Sequence, residues 1–210
     1  MSVPENHSSP ILDIRNITLS YGEKTVLRDF SLSLQRGEKI ILAGPNGSGK
    51  TTLIRAVLGF IRPEKGTIAK APGLKTAYTR QGDTRTICPV SVREVVSMGL
   101  YRSKKRDESR VDSAMRITGV RHLSSRSFSS LSGGEKQRVQ IARSITQEAD
   151  LLLMDEPTTF LDAAFRDELV SILTLLPSQM AAIVVTHDEI LSVNLGWKII
   201  RIGKEETCRE

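Results

Sequence analysis

Three short stretches of this chain hold the residue types that phosphate chemistry needs. Gly44-Pro45-Asn46-Gly47-Ser48-Gly49-Lys50-Thr51, followed by Thr52, fits the spacing G-x4-G-K-S/T. Glycines let successive backbone N–H groups curl around phosphate oxygens, and a helix N-terminus behind them adds its positive dipole end. In such a loop Lys50 reaches the β- and γ-phosphates of a nucleotide, and the Thr51 hydroxyl ligates Mg2+. The second stretch is the apolar run Leu151–Met154, which ends in Asp155-Glu156. A buried strand of this kind delivers two carboxylates to its C-terminal edge, where ligands bind in parallel sheets. Asp155 can then join the magnesium shell, while Glu156, one residue on, points elsewhere and can polarise a water for attack on the γ-phosphate. The third is Leu131-Ser132-Gly133-Gly134-Glu135-Lys136-Gln137-Arg138. Ser132 is a good helix N-cap, and the paired glycines allow close approach of an anion. Taken singly, the second stretch could be a strand that merely ends in charge and the third an ordinary capped helix.

The elements that must position these residues can be read from hydrophobic periodicity. Leu12, Ile14, Ile17 and Leu19 suggest a first strand, and Phe30, Leu32 and Leu34 alternate as a second. Arg36-Gly37-Glu38 is a turn, and Lys39–Ala43 is a short run of the buried-strand type. A helix over Thr51–Leu58 closes at Gly59. From about Ser91 to Glu148 the chain reads mostly helical, with Val92, Val95, Val96 and Gly99 on one face and Val111, Met115 and Ile117 on another. Beyond it, strands at Leu151–Met154, Ala181–Thr186 and Trp197–Ile202 surround a helix over Asp162–Leu176. Strands alternating with helices predict an α/β fold with a parallel sheet. The helical middle, about 88–148, is expected to be a subdomain inserted into a single domain spanning 1–210.

Composition narrows the classes. The 210 residues are 39% hydrophobic and 26% charged, which excludes a disordered or fibrous chain. No apolar run approaches the roughly 18 residues of a membrane span, and 1–10 does not read as a signal peptide. Cys88 and Cys208 make neither a disulfide framework nor a cysteine metal site, and His7 and His122 read as solvated, so the chain is expected to be cytosolic. Most of the formal charge of +6 sits in 102–126, where eight basic side chains face Asp107, Glu108 and Asp112. Such a stretch suits nucleic acid, anionic lipid or an ordinary solvated helix face equally, and the few nearby aromatics give no case for base stacking.

With the three motifs in this order, the chain resembles the nucleotide-binding subunits of ATP-binding-cassette (ABC) transporters, from about Ile11 to Ile202. The resemblance implies a P-loop ATPase fold: a mainly parallel sheet, an N-terminal antiparallel β subdomain and the inserted helical subdomain. It also implies roles for further residues. Tyr21 matches the aromatic that stacks on adenine. Gln81 matches the glutamine that touches magnesium and water and senses the transmembrane partner. Asp162 matches the aspartate that communicates across the dimer, and His187 the histidine at the γ-phosphate. Arg80 departs from the pattern, standing where many relatives carry proline.

In that family the loop at Ser132-Gly133-Gly134 covers the ATP held by another subunit's P-loop. The resemblance therefore implies a dimer with two ATPs sandwiched between subunits, Mg2+ as cofactor, and Glu156 as the hydrolytic base. Lacking a membrane span, the chain would work with membrane-spanning permease subunits at the cytoplasmic face of the cell membrane. An extracytoplasmic substrate-binding protein is a further partner that the resemblance admits. Pro89–Tyr101 and Thr158–Asp162 are similar to ATPases of zinc/manganese and of iron-siderophore or cobalamin importers, which implies import of metal ions or chelates. Export or envelope maintenance is the alternative within the family. A soluble ABC ATPase acting on nucleic acid is disfavoured, since such relatives typically carry two cassettes or a long coiled coil. Here one cassette is present, with 79 residues between Thr51 and Leu131.

Overall fold

The three most apolar runs, Lys39–Ala43 (β3), Leu151–Asp155 (β6) and Ala181–Thr186 (β7), are adjacent strands of a five-stranded parallel sheet. The order is β5-β6-β7-β3-β8, where β5 is Thr76–Arg80 and β8 is Lys198–Arg201. Continuous apolarity in β6 and β7 follows from burial on both faces. Alternate residues serve opposite cores. Leu151, Leu153, Ile183 and Val185 pack toward helix α1 (Lys50–Leu58) and the antiparallel sheet. Leu152, Met154, Ala182 and Val184 pack toward α5 (Ala163–Thr174) and α6 (Glu189–Leu195). The computed structural model describes residues 9–22, 24–80, 90–101, 107–158 and 163–203.

The antiparallel sheet is three-stranded, in the order β2-β1-β4, from Leu12–Tyr21 (β1), Lys24–Leu34 (β2) and Lys65–Lys70 (β4). The tight β1–β2 connection pairs Tyr21 with Lys24 and leaves Tyr21 two-thirds exposed. A third core belongs to helices: α2 (Val92–Ser97), α3 (Glu108–Ile117) and the near side of α4 (Gly133–Thr146) close around Phe128 and Met115. Helix α4 is shared, since Val139 and Ala142 face this core while Ile141 faces the sheet core.

The observed elements refine the expected ones. Helix α1 begins at Lys50, one residue early, because Gly49 already takes the left-handed N-cap position. β4, β5 and α6 are additional to the elements read from periodicity. Of the expected apolar face of α3, Val111 and Met115 are buried, whereas Ile117 at the helix end is only half-buried. Gln81, Asp162, His7, Cys88 and Cys208 lie outside the described residues.

Candidate nucleotide site

The loop between β3 and α1 folds as its glycines require. Gly49 has φ +93°, and a Cβ there would lie 3.0 Å from the Val26 carbonyl oxygen. At Gly44 a Cβ would come within hard contact of the Ile202 carbonyl oxygen, so the strand end at β8 backs the loop directly. No side chain caps the first turn of α1 and no acidic residue stands in it. Its amides therefore face forward as an anion site. Lys50 is buried, and its Nζ donates to the carbonyls of Gly44 at 2.7 Å and Pro45 at 2.9 Å.

β6 delivers its two carboxylates in different directions. The Thr51 hydroxyl donates to Asp155 Oδ1 at 3.1 Å, which places an uncharged and an ionisable oxygen side by side at the start of α1. Glu156 leaves the strand with φ +49°, a conformation that non-glycine residues seldom adopt, and its N–H is held by the Val185 carbonyl at 2.8 Å. That turn swings Glu156 away from Thr51. Its Oε2 meets His187 Nδ1 at 2.8 Å, and its Oε1 lies 4.0 Å from Lys50 Nζ. An ionised Glu156 accepts from Nδ1–H, so the second ring nitrogen of His187 is left for a ligand.

A cavity of 370 Å³ is lined by Tyr21, Lys24, Val26, Asn46, Gly47, Gly49, Lys50, Thr51, Thr52 and Glu156, while His187 lines a second one of 490 Å³ with Gly44 and Pro45. Tyr21 thus stands at the same opening as the phosphate loop. Lys24 and Val26 are lining residues that no motif signals. The donor set next to α1 fits Mg2+: a hydroxyl and a carboxylate are hard oxygen ligands, few in number, as the ion takes when phosphates and water complete its shell.

Ser132 caps α4 as expected, accepting from Glu135 N–H at 3.2 Å. Glu135 reciprocates at the Ser132 N–H at 2.8 Å, and that amide holds its carboxyl below the usual range. Gly134 lies flat on the Phe165 ring of α5, where a Cβ would stand 2.4 Å from the ring edge. Ser132, Gly133 and Gly134 contribute nothing to the lining of the phosphate-loop cavity. A single chain thus presents these two helix ends at separate places.

His187 is followed by Asp188, the N-cap of α6, whose Oδ1 accepts from Leu191 N–H at 3.0 Å. Its Oδ2 accepts from Arg166 Nε at 2.7 Å. Burial alone would raise the Asp188 carboxyl, but the Leu191 amide, Arg166 and Thr158 together hold it below its ordinary value. In the basic stretch, Arg110 reaches the Thr146 carbonyl and Glu148, and Arg126 lies 3.9 Å from Glu135, whereas Glu108 and Asp112 are taken up by Arg93 from outside it.

The sequence pattern of the family described as ABC transporter matches residues 27–159. The zinc import ATP-binding protein ZnuC of Pseudomonas fluorescens (strain Pf0-1) is 31% identical over 206 residues, covering 96% of this chain and 77% of its own. The manganese transport system ATP-binding protein MntB of Bacillus subtilis (strain 168) is 34% identical over 193 residues, covering 85% of this chain and 77% of its own. Among solved structures, an inward-facing conformation described as a metal-chelate type ABC transporter superposes with a TM-score of 0.82 at 29% identity, over 93% of this chain and 81% of that one. The cbiO1 protein of Clostridium perfringens, part of the ABC transporter complex cbiONQ, gives 0.79 at 26% identity, over 93% and 85%. A phosphate loop at the head of α1, two carboxylates at the end of β6, a serine-capped α4 that opens on two glycines and these likenesses agree, and the chain belongs to the ABC transporter family.

Proposed function

We propose that this chain is the ATP-hydrolysing subunit of a membrane importer whose cargo is a metal ion or a metal chelate. The observation that carries the hydrolytic part is the approach of Glu156, a lining residue of the phosphate-loop cavity, to both Lys50 and His187, beside the Thr51–Asp155 pair. The α1 amides and Lys50 bind the phosphates of ATP, and Tyr21 stacks on the base. Thr51, Asp155 and Gln81 would hold Mg2+, which would supply positive charge against the phosphates. Glu156 orients a water and accepts its proton, and His187 fixes the Glu156 carboxylate while offering its other nitrogen to the γ-phosphate. Ser132, Gly133 and Gly134 act on the ATP of a second subunit, with Asp162 beside that interface, so two copies enclose two ATPs and exclude bulk water.

Among the described residues no helix is long and apolar enough to cross a membrane, so translocation falls to separate permease subunits, with this chain peripheral to the membrane. Zinc, manganese and metal-chelate relatives support the metal cargo. An extracytoplasmic protein that captures the cargo is the remaining component of such an importer. The pairing of Arg110 with Glu148 and of Arg126 with Glu135 supports a solvated helical surface over a nucleic-acid footprint.

The test is a pull-down from detergent-solubilised membranes with tagged Glu156→Gln, ATP and Mg2+. Co-purification of a multi-span membrane protein is expected, and the complex reconstituted in vesicles should accumulate zinc, manganese or a chelate in an ATP-dependent way. Recovery of only soluble proteins or nucleic acid would overturn the transport role. ATP-driven movement of a non-metal cargo would overturn the metal assignment alone.

A further inference from the structure

The turn that carries His187 has little grip of its own. The His187 side chain is half exposed, and among the described residues its hydrogen bond is the one to Glu156. The next residue is held from every side. Asp188 N–H donates to the Thr186 hydroxyl at 2.9 Å, and its carbonyl accepts from the Ser192 hydroxyl at 3.0 Å. Its Oδ1 caps α6, and its carboxylate also takes the hydroxyl of Thr158, two residues beyond Glu156. Arg166, from the second turn of α5, closes this set through Nε at 2.7 Å on Oδ2. The pair is mostly buried, with side-chain exposures of 24% for Arg166 and 12% for Asp188. It therefore escapes much of the screening that makes surface pairs nearly neutral in energy.

We infer that Arg166 is a positioning residue for hydrolysis: by holding Asp188 it fixes the turn that presents His187 to Glu156. The inference rests on the roles proposed above for Glu156 and His187. Its geometry also dictates the informative variants. The contact is made by Nε, which is three bonds from Cβ, the same position that a glutamine amide nitrogen occupies. Arg166→Gln therefore keeps a donor at that point and removes the charge. Lysine would carry its ammonium one bond, about 1.5 Å, farther out, into the 2.7 Å that separates Nε from the Asp188 oxygen. Arg166→Met keeps the bulk and removes the donor.

The experiment compares steady-state ATP hydrolysis, ATP affinity by titration and thermal midpoint for the full chain and these variants. Arg166→Met is expected to lower kcat about tenfold, the scale of one charge-assisted hydrogen bond, with KM and ATP affinity within twofold of the parent. Arg166→Gln should recover most of that kcat, and Arg166→Lys little of it. Asp188→Asn combined with Arg166→Met should lose no more than the worse single variant, because both act through one contact. A merely structural pair predicts the opposite split: a lower thermal midpoint with kcat unchanged at temperatures where the variants are folded. That outcome, or equal loss in the Gln and Met variants, would overturn the inference. Glu156→Gln is measured in parallel. If it abolishes turnover while Arg166→Met leaves kcat unchanged, the inference fails and the catalytic reading stands; if it leaves turnover intact, both fail.

Discussion

Replacing Gly134 by alanine probes the joint between the Ser132-capped end of α4 and α5. Built on the backbone, the new Cβ would stand 2.4, 2.8 and 3.1 Å from three carbons of the Phe165 ring. Carbon atoms in good contact sit about 3.5–4.0 Å apart, so the ring or the helix end has to retreat by about 1 Å. Phe165 is 7% exposed and packed among Ile141, Leu169 and Met154, so there is no free space to retreat into. Overpacking of this kind costs about 1–3 kcal/mol. The gain in helix propensity from glycine to alanine offsets at most about 1 kcal/mol. The net loss is therefore about 1–2 kcal/mol, which for a chain of this size lowers the thermal midpoint by about 2–8 °C. The decisive assay is a double-mutant cycle followed by thermal unfolding. In a Phe165→Ala background the obstacle is gone, and Gly134→Ala should become neutral or slightly stabilising. An equal loss in both backgrounds would show that the ring is not what demands glycine, and the packing argument would fall.

Other perturbations have equally definite outcomes. Lys50→Ala removes the buried ammonium from the phosphate cavity and should raise the dissociation constant for ATP by tenfold or more, measured by nucleotide titration; unchanged affinity would remove Lys50 from the binding site. Asp150 behaves as Asp188 does: burial pushes its carboxyl up, but the Lys75 amide and Arg36 outweigh it and hold the group below its ordinary value. Both carboxyls are thus more acidic folded than unfolded, so the stability they contribute is complete above the unfolded value of about 4 and is lost as the pH falls through their folded values. The thermal midpoint should accordingly change little on their account between pH 7 and 5 and fall below about pH 4. Asp188→Asn should be less stable at pH 7 and show a smaller acid drop; an undiminished drop in that variant would contradict the assignment.

How much of this was legible in the sequence differs from element to element. β3, β6 and β7 announce themselves because strands buried on both faces must be apolar throughout. β4 does not, since Lys65–Lys70 lies on a sheet edge with nearly every side chain exposed, and only its pairing with β1 makes it a strand. β5 is polar at three of five positions and owes its place to its partner β6. The phosphate loop, Asp155 and Glu156, and the Ser132 cap are written in local spacing. The reciprocal cap by Glu135 and the start of α6 at Asp188 were available to the same reasoning, as a polar residue three positions before a partner. The left-handed backbone of Glu156 carries no sequence mark, because non-glycine residues adopt it only where surrounding contacts enforce it. Nor do the meetings of Arg166 with Asp188 or Gly134 with Phe165. They depend on how α5 packs, and no periodicity spans separations of 22 and 31 residues.

The most direct measurement is made on Glu156→Gln. Glutamine keeps the size of the side chain and a hydrogen-bonding end for His187, but it cannot accept a proton from water. The account predicts ATP affinity close to that of the parent chain, turnover reduced about 10²–10⁴-fold, and a nucleotide-bound dimer that accumulates with ATP and Mg2+ and is seen by size-exclusion chromatography. Undiminished hydrolysis in this variant would contradict the claim that Glu156, turned out of β6 toward His187, is the base of the reaction.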